Sequence, residues 1–273
     1  MRGLAPGIEA LLDAMLAVEE DGTRFSEDEV AANATFLFLA GHETTWTRNL
    51  AYHSAMESVR VDILPAISAF KGALEEGTQT YSYVVVFGDF SVLVDVRDEL
   101  LIEALRTFPS PRHLILTHRH IRKHEAAIER AFGLEVWQHP QDARAPRRGP
   151  AENTPYATAY HDPFTGELAD LGFQFFNIPG HTPGCTFALL DVHGGTLFTG
   201  DAVIGTKPAE PVGLDLPPDW TCDDPVRAKE SILAIDIPPH QNILPSHGEP
   251  VVGVGVNRTA ELWATLRARL AAR

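Results

Sequence analysis

"LILTHRHIRKHEAA", residues 114–127, sets an aliphatic run directly against three histidines, His118, His120 and His124, within seven positions. Leu114–Leu116 reads as a short buried strand, and residues 120–132 as a helix with Glu125–Phe132 as its body. A His-x-His pair at such a junction can aim both imidazoles at one ion, because irregular backbone lets alternate side chains converge. The same basic stretch reads equally well as a solvated helix face. Partners elsewhere in the chain decide between the two.

Outward from this stretch the texture is that of short apolar runs divided by turns. "YVVVF" and "SVLVDV" flank Gly88-Asp89, a hairpin signal. A helix over Glu99–Thr107 precedes the histidine strand, and a strand over Glu135–Gln138 follows its helix. Residues 142–165, rich in Pro, Arg and Ala, read as a long loop or insertion. "FQFFNI", "TFALLDV" and "TLFTGD" read as three further strands. Pro225–Ile235 then reads as a helix, Asn242–Leu244 as a strand and Asn257–Ala272 as a last helix. Hairpins mixed with βα units predict two sheets faced by helices. The first 55 residues differ in reading as helical, over Ile8–Ala17 and again after Ser26, where Glu29 completes a capping box.

Three loops carry candidate partners. "IPGHTPGC" places His181 directly after a strand, "LFTGDA" places Asp201 at the end of a hairpin strand, and "ILPSHGEP" places His247 after another. Gly200 lets the backbone beside Asp201 approach its neighbours closely. One turn histidine alone carries little weight. Four such loops, each C-terminal to an apolar strand, point to a metal centre. Imidazole nitrogen and carboxylate oxygen suit zinc, with iron and manganese as alternatives.

Composition bounds the remaining functions. The 273 residues are 44% hydrophobic and 22% charged, as in an ordinary globular protein. A formal net charge of -15 opposes a phosphate backbone, so no nucleic-acid partner is expected. Two cysteines, Cys185 and Cys222, form no disulfide framework or Cys-x-x-Cys knuckle and suit a reducing cytoplasm. The N-terminus lacks the pattern of a secretory signal, and the longest strongly apolar run, Ala34–Gly41, is too short to span a bilayer. A cytoplasmic protein with no membrane partner is expected. Its oligomeric state is open.

The order "THRH", "PGHTPG", "TGD", "SHG" resembles the metallo-β-lactamase superfamily, glyoxalase II-like members above all, from about Tyr81 to the C-terminus. The resemblance implies an α+β, four-layer αββα sandwich over residues 56–273, with a helical extension over 1–55. It implies a first metal on His118, His120 and His181, a bridging Asp201, and a second metal on His247. The family's first motif runs His-x-His-x-Asp-His, and here the last two positions are Arg122 and Lys123. Guanidinium stays protonated and cannot ligate. His124, four residues beyond His120 on a continuous helix, is either a substitute ligand or an ordinary helix residue. One ion is therefore expected rather than two.

"FLFLAGHETT", residues 36–45, resembles the oxygen-binding helix of cytochrome P-four-fifty monooxygenases, with Glu43 and Thr44 matching its acid and hydroxyl. Neither "HTPGCT" nor "DWTCDD" resembles the haem-thiolate loop, so no haem is expected and residues 1–55 read as a fused fragment. Met56 reads as an ancestral start.

The chemistry expected is hydrolysis of a small ester, thioester, amide or lactone by metal-bound hydroxide. In this reading Asp201 and His247 are the catalytic side chains, and Arg122 holds an anionic substrate group. The alternative is an inactive relative that keeps the fold and a vestigial metal site.

Overall fold

The computed structural model describes residues 59–75, 78–146, 154–208 and 210–272, together with two short strands near the N-terminus. The chain divides into two compact units, Met1–Glu57 and Ser58–Arg273. In the first, β1 (Glu19–Glu20) and β2 (Thr23–Arg24) pair antiparallel. The expected helices over Ile8–Ala17 and after Ser26, and the segment 36–45, lie outside the described residues. Among the described residues no helix is long and apolar enough to cross a membrane.

Among the described residues the second unit holds two large sheets and one short strand pair. The larger orders β3 (Val59–Leu64), β4 (Ile67–Glu75), β5 (Thr78–Phe87), β6 (Phe90–Val94), β7 (Ser110–Leu116) and β8 (Glu135–Gln138) side by side. β3 to β6 run antiparallel, whereas β6, β7 and β8 run parallel. The predicted Gly88-Asp89 hairpin is present, with Phe87 opposite Phe90 and Gly88 at φ 57°. The smaller sheet orders β14 (Asn242–Pro245), β11 (Thr196–Gly200), β10 (Thr186–Leu190) and β9 (Phe173–Asn177). β12 (Ile204–Gly205) and β13 (Leu214–Asp215) form a separate short pair.

β6, β10, β11 and β14 are buried along nearly their whole length because both faces of the sheets are covered there, and successive side chains enter different cores. Val92 and Val94 of β6, Ile115 of β7, Ala188 and Leu190 of β10, Phe198 of β11 and Leu244 of β14 pack together between the sheets. Their neighbours point outward. Leu93, Leu114, Leu116 and Val136 meet Leu105 and Ile128 of the helices Ile102–Leu105 and Glu125–Phe132. Phe187, Leu189, Leu197 and Ile243 meet Ile232 of the helix Pro225–Ala234 and the Leu262, Leu266, Leu270 stripe of Val256–Ala271. The layers are thus helix, sheet, sheet, helix, as expected for the αββα sandwich. Each such large side chain contributes about 1.5–3 kcal/mol by leaving water.

The detail departs from expectation chiefly in the following. β3 and β4 lie N-terminal to the predicted first strand, extending the larger sheet by two. The helix expected over 120–132 is broken: a 3-10 turn covers Arg119–Ile121, and the α-helix starts only at Glu125. Among the described residues the three hydrophobic clusters are built from the second unit. A chain beginning at Met56 is expected to fold, with a thermal midpoint within about 5 °C of the full chain by calorimetry. Insolubility of that shorter chain would show that residues 1–55 supply part of the packing.

Candidate metal centre

The histidine stretch leaves the sheet at the C-terminal end of β7. Thr117 is pinned there by Asp95, just beyond β6, whose Oδ1 accepts the Thr117 N–H at 2.9 Å and whose Oδ2 accepts its hydroxyl at 2.8 Å. Asp95 Oδ2 also accepts the hydroxyl of Ser246, next to His247. One buried carboxylate therefore fixes three strand ends. Having donated to Asp95, the Thr117 hydroxyl faces His118 Nδ1 at 3.1 Å as an acceptor, which leaves the lone pair of His118 on Nε2.

The HTPG loop is tied to the same place by Asp142. Its Oδ2 accepts from Arg119 N and Thr182 Oγ1, and its Oδ1 accepts from Gly184 N at 2.9 Å. A Cβ on Gly184 would lie 2.7 Å from Asp142 Cγ, so glycine is required there. Gly200 is held at φ 52° with its missing Cβ aimed at the Thr117 hydroxyl, which is why the strand before Asp201 ends in glycine. Asp142 is fully buried, and Asp142→Ala is expected to weaken metal binding by about 10–100-fold, measured by chelator competition.

Together these ties bring His118, His120 and His181 into one cluster, with one nitrogen from each within 4.8 Å of the others. His120 Nδ1 and His181 Nε2 are 3.1 Å apart. Asp201 Oδ2 lies 3.1 Å from His118 Nε2, 3.6 Å from His181 Nε2 and 3.5 Å from His247 Nε2. His118 and His181 are buried, while His120 is open to solvent, so the centre is reachable from one side.

Whether a metal fits here can be judged from unsatisfied atoms. His118 Nε2 and Asp201 Oδ1 are buried without any hydrogen-bond partner, although His118 Nε2 stands 3.1 Å from Asp201 Oδ2. Distance alone pairs those two groups; the hydrogen-bond angle does not. Buried polar atoms left so are costly, and a cation between these electron-pair donors removes the cost. The residues fit a metal ion.

Charge states agree for His120, His181 and Asp201, and His118 differs. Burial, followed by the charge on His118, holds His181 down to about 3 and His120 down to about 4, so both are neutral ligands near neutral pH. Burial would raise the Asp201 carboxyl, but His118, His247 and His181 around it hold it well below the usual range. His118 is raised, because the Asp201 carboxylate outweighs the effect of its burial.

For His120 and His181 the unfolded chain takes up protons below the ordinary value of 6.5, whereas the folded chain resists until about 4 and 3. Their effect on the metal-free protein is full stability above pH 6.5, lost as pH falls through that window. His118 acts with the opposite sign and offsets part of the loss. The urea midpoint of metal-free protein is expected to drop between pH 7 and pH 4.5. A rise over that range would show that His118 dominates.

The other residues singled out in the sequence lie elsewhere. His124 precedes the helix Glu125–Phe132 as its N-cap residue, with Nδ1 3.5 Å from Glu99 Oε1. The 3-10 turn and the break at Arg122 remove the shared helix face that would have brought it to His120. Lys123 is exposed. Arg122 is buried and turned away, donating to the carbonyls of Ala143 at 3.0 Å and Ala145 at 2.6 Å, with Tyr156 and Tyr160 against its guanidinium. The expected hold of Arg122 on an anionic substrate group is corrected by this geometry, because backbone carbonyls and aromatic faces already engage its charge.

Sequence reasoning passed over Asp95, Asp142, Arg97 and Cys222. Cys222 Sγ lies 4.0 Å from His181 Nδ1, on a segment whose Asp223 N–H donates to the His181 carbonyl at 3.0 Å. Only the position of Asp95 at the end of "SVLVD", another carboxylate closing a strand, could have signalled any of these.

No known family model matches the chain, and no curated protein matches it. Solved structures do. A metallo-β-lactamase from Erythrobacter litoralis is 20% identical with a TM-score of 0.56, covering 77% of this chain and 98% of its own. The mono-zinc form of the metallo-β-lactamase FIM-1 from Pseudomonas aeruginosa is 21% identical with a TM-score of 0.57, covering 80% and 98%. A metallo-β-lactamase from Pontibacter korlensis is 17% identical with a TM-score of 0.56, covering 76% and 98%. Layer order, sheet topology and these likenesses agree: the unit Ser58–Arg273 has the metallo-β-lactamase fold.

Proposed function

We propose that the chain is a metal-dependent hydrolase of a small ester, thioester, amide or lactone, working with one ion, zinc before iron or manganese. The observation that carries this reading is a pair of buried atoms without hydrogen-bond partners, His118 Nε2 and Asp201 Oδ1, beside the clustered imidazoles of His118, His120 and His181. His118, His120 and His181 would hold the ion, with Asp201 beside it. Bound there, zinc would supply a water of lowered pKa, about 7, and would polarise a substrate carbonyl. Asp201, kept ionised, orients the attacking water through a hydrogen bond to Oδ2. His247, 3.5 Å from that oxygen, is placed to pass a proton to the leaving group.

Thioesters come first in the substrate panel because the motif strings resemble those of glyoxalase II-like proteins. We also propose a cytoplasmic location, no nucleic-acid or membrane partner, and an origin of residues 1–55 as a fused monooxygenase-like fragment without haem. The mono-zinc form of FIM-1 offers a precedent for one ion on this fold. The test is elemental analysis of purified protein combined with turnover of generic thioesters, esters and lactones. About one transition metal per chain with turnover above the metal-free control is expected. A second reading, an inactive relative, draws on the loss of two motif positions at Arg122 and Lys123. A metal-loaded protein inert across the panel would favour it.

A further inference from the structure

The geometry points to Arg97 as the built-in second cation of this centre, a positioning residue that fixes His247 and keeps the site to one metal ion. This rests on the reading of the site as a one-metal centre and deepens it. Arg97 Nη1 lies 3.5 Å from His247 Nε2, the same nitrogen that stands 3.5 Å from Asp201 Oδ2. Guanidinium has donors only, so the contact places a positive N–H toward the lone pair that a second metal on Asp201 and His247 would need. Arg97 Nη2 also donates to the Ser246 carbonyl at 3.4 Å.

The placement is not accidental to a loose side chain. Asp95, two residues before Arg97, accepts from Ser246, one residue before His247, and from Thr117, one residue before His118. The turn carrying Arg97 and the loop carrying His247 are thus held by a single buried carboxylate. Asp98, just after Arg97, caps the next turn by accepting from Leu100 N at 2.9 Å, so the arginine is bracketed by two anchored neighbours. In Arg97 the site has a fixed positive charge on its His247 side.

A fixed guanidinium repels a divalent ion at short range while supporting the ionised Asp201. The consequence is a ligand pair, Asp201 and His247, that is present but closed to a second ion. Neutralising Arg97 should open it.

The test is titration of metal-free full-length protein with Co²⁺, following heat and visible absorption. The variants are Arg97→Gln, which keeps most of the side-chain length, Arg97→Ala and Arg97→Lys. One ion is expected for the parent and for Arg97→Lys, which keeps the charge. Arg97→Gln and Arg97→Ala should take up a second ion at least about tenfold more tightly than the parent does. Equal counts across all four proteins, or two tight ions in the parent, would overturn the role of Arg97. No ion in the parent would overturn the metal reading and this role with it. Because the titration needs no substrate, an inert ester panel counts against the hydrolase reading alone and leaves the ion count as the judge of Arg97.

Discussion

Replacing His181 with Ala is expected to strip the protein of most of its metal and bring turnover below detection. Even the hydrogen-bond partners behind a metal ligand carry about 10–100-fold in affinity, so a lost ligand should weaken binding by at least about 100-fold. The fold should survive. His181 sits on a loop held independently by Asp142 and by the backbone bond from Asp223 to the His181 carbonyl, none of which uses the imidazole. Metal-free wild type and variant should therefore melt within about 5 °C of each other, while metal protects only the wild type. Zinc content measured after dialysis, alongside calorimetry with and without added metal, separates a lost ligand from a lost fold.

The second large effect concerns Arg122. On sequence alone, Arg122→Asp with Lys123→His looks like a repair that restores the family's second metal site. The structure predicts damage. Arg122 is only 1% exposed, and its guanidinium supplies donors to the Ala143 and Ala145 carbonyls. An aspartate there would leave those carbonyls without donors and bury a carboxylate beside them. Each buried carbonyl left without its donor costs about 1–3 kcal/mol. The loss would spread to Asp142, whose helix Pro140–Ala143 ends at the first of the two carbonyls. The double variant is expected to lose stability in urea and to bind its single metal less tightly. A variant as stable as the parent that holds two ions would show that the buried arginine is dispensable.

What the sequence made legible was what repeats locally. The strands over β6, β7, β10, β11 and β14 were readable because burial on both faces demands unbroken apolar residues, and their ends were readable because glycine, proline and histidine crowd there. The convergence of His118, His120 and His181 followed from loops that share one edge. β3 and β4 were missed: "VRVDIL" and "ISAFKGALE" mix lysine, arginine and acids into their alternation. Helix spacing was trusted across Arg122, and there it misplaced His124. Of the residues that set the site's geometry, only Asp95, closing a strand, left a local trace. Asp142 lies 40 and 42 positions from Thr182 and Gly184, and Asp95 lies 151 positions from Ser246. Pairings of that range are made by the finished sandwich, and no periodicity encodes them.

The most direct test of the centre is X-ray absorption at the edge of whichever metal copurifies with the full chain. A single ion in a shell of imidazole nitrogen and oxygen, with neither sulfur nor a second metal nearby, is the expected spectrum. A metal–metal distance in the scattering, a sulfur ligand from Cys222, or no bound transition metal at all would contradict a one-ion site on His118, His120 and His181.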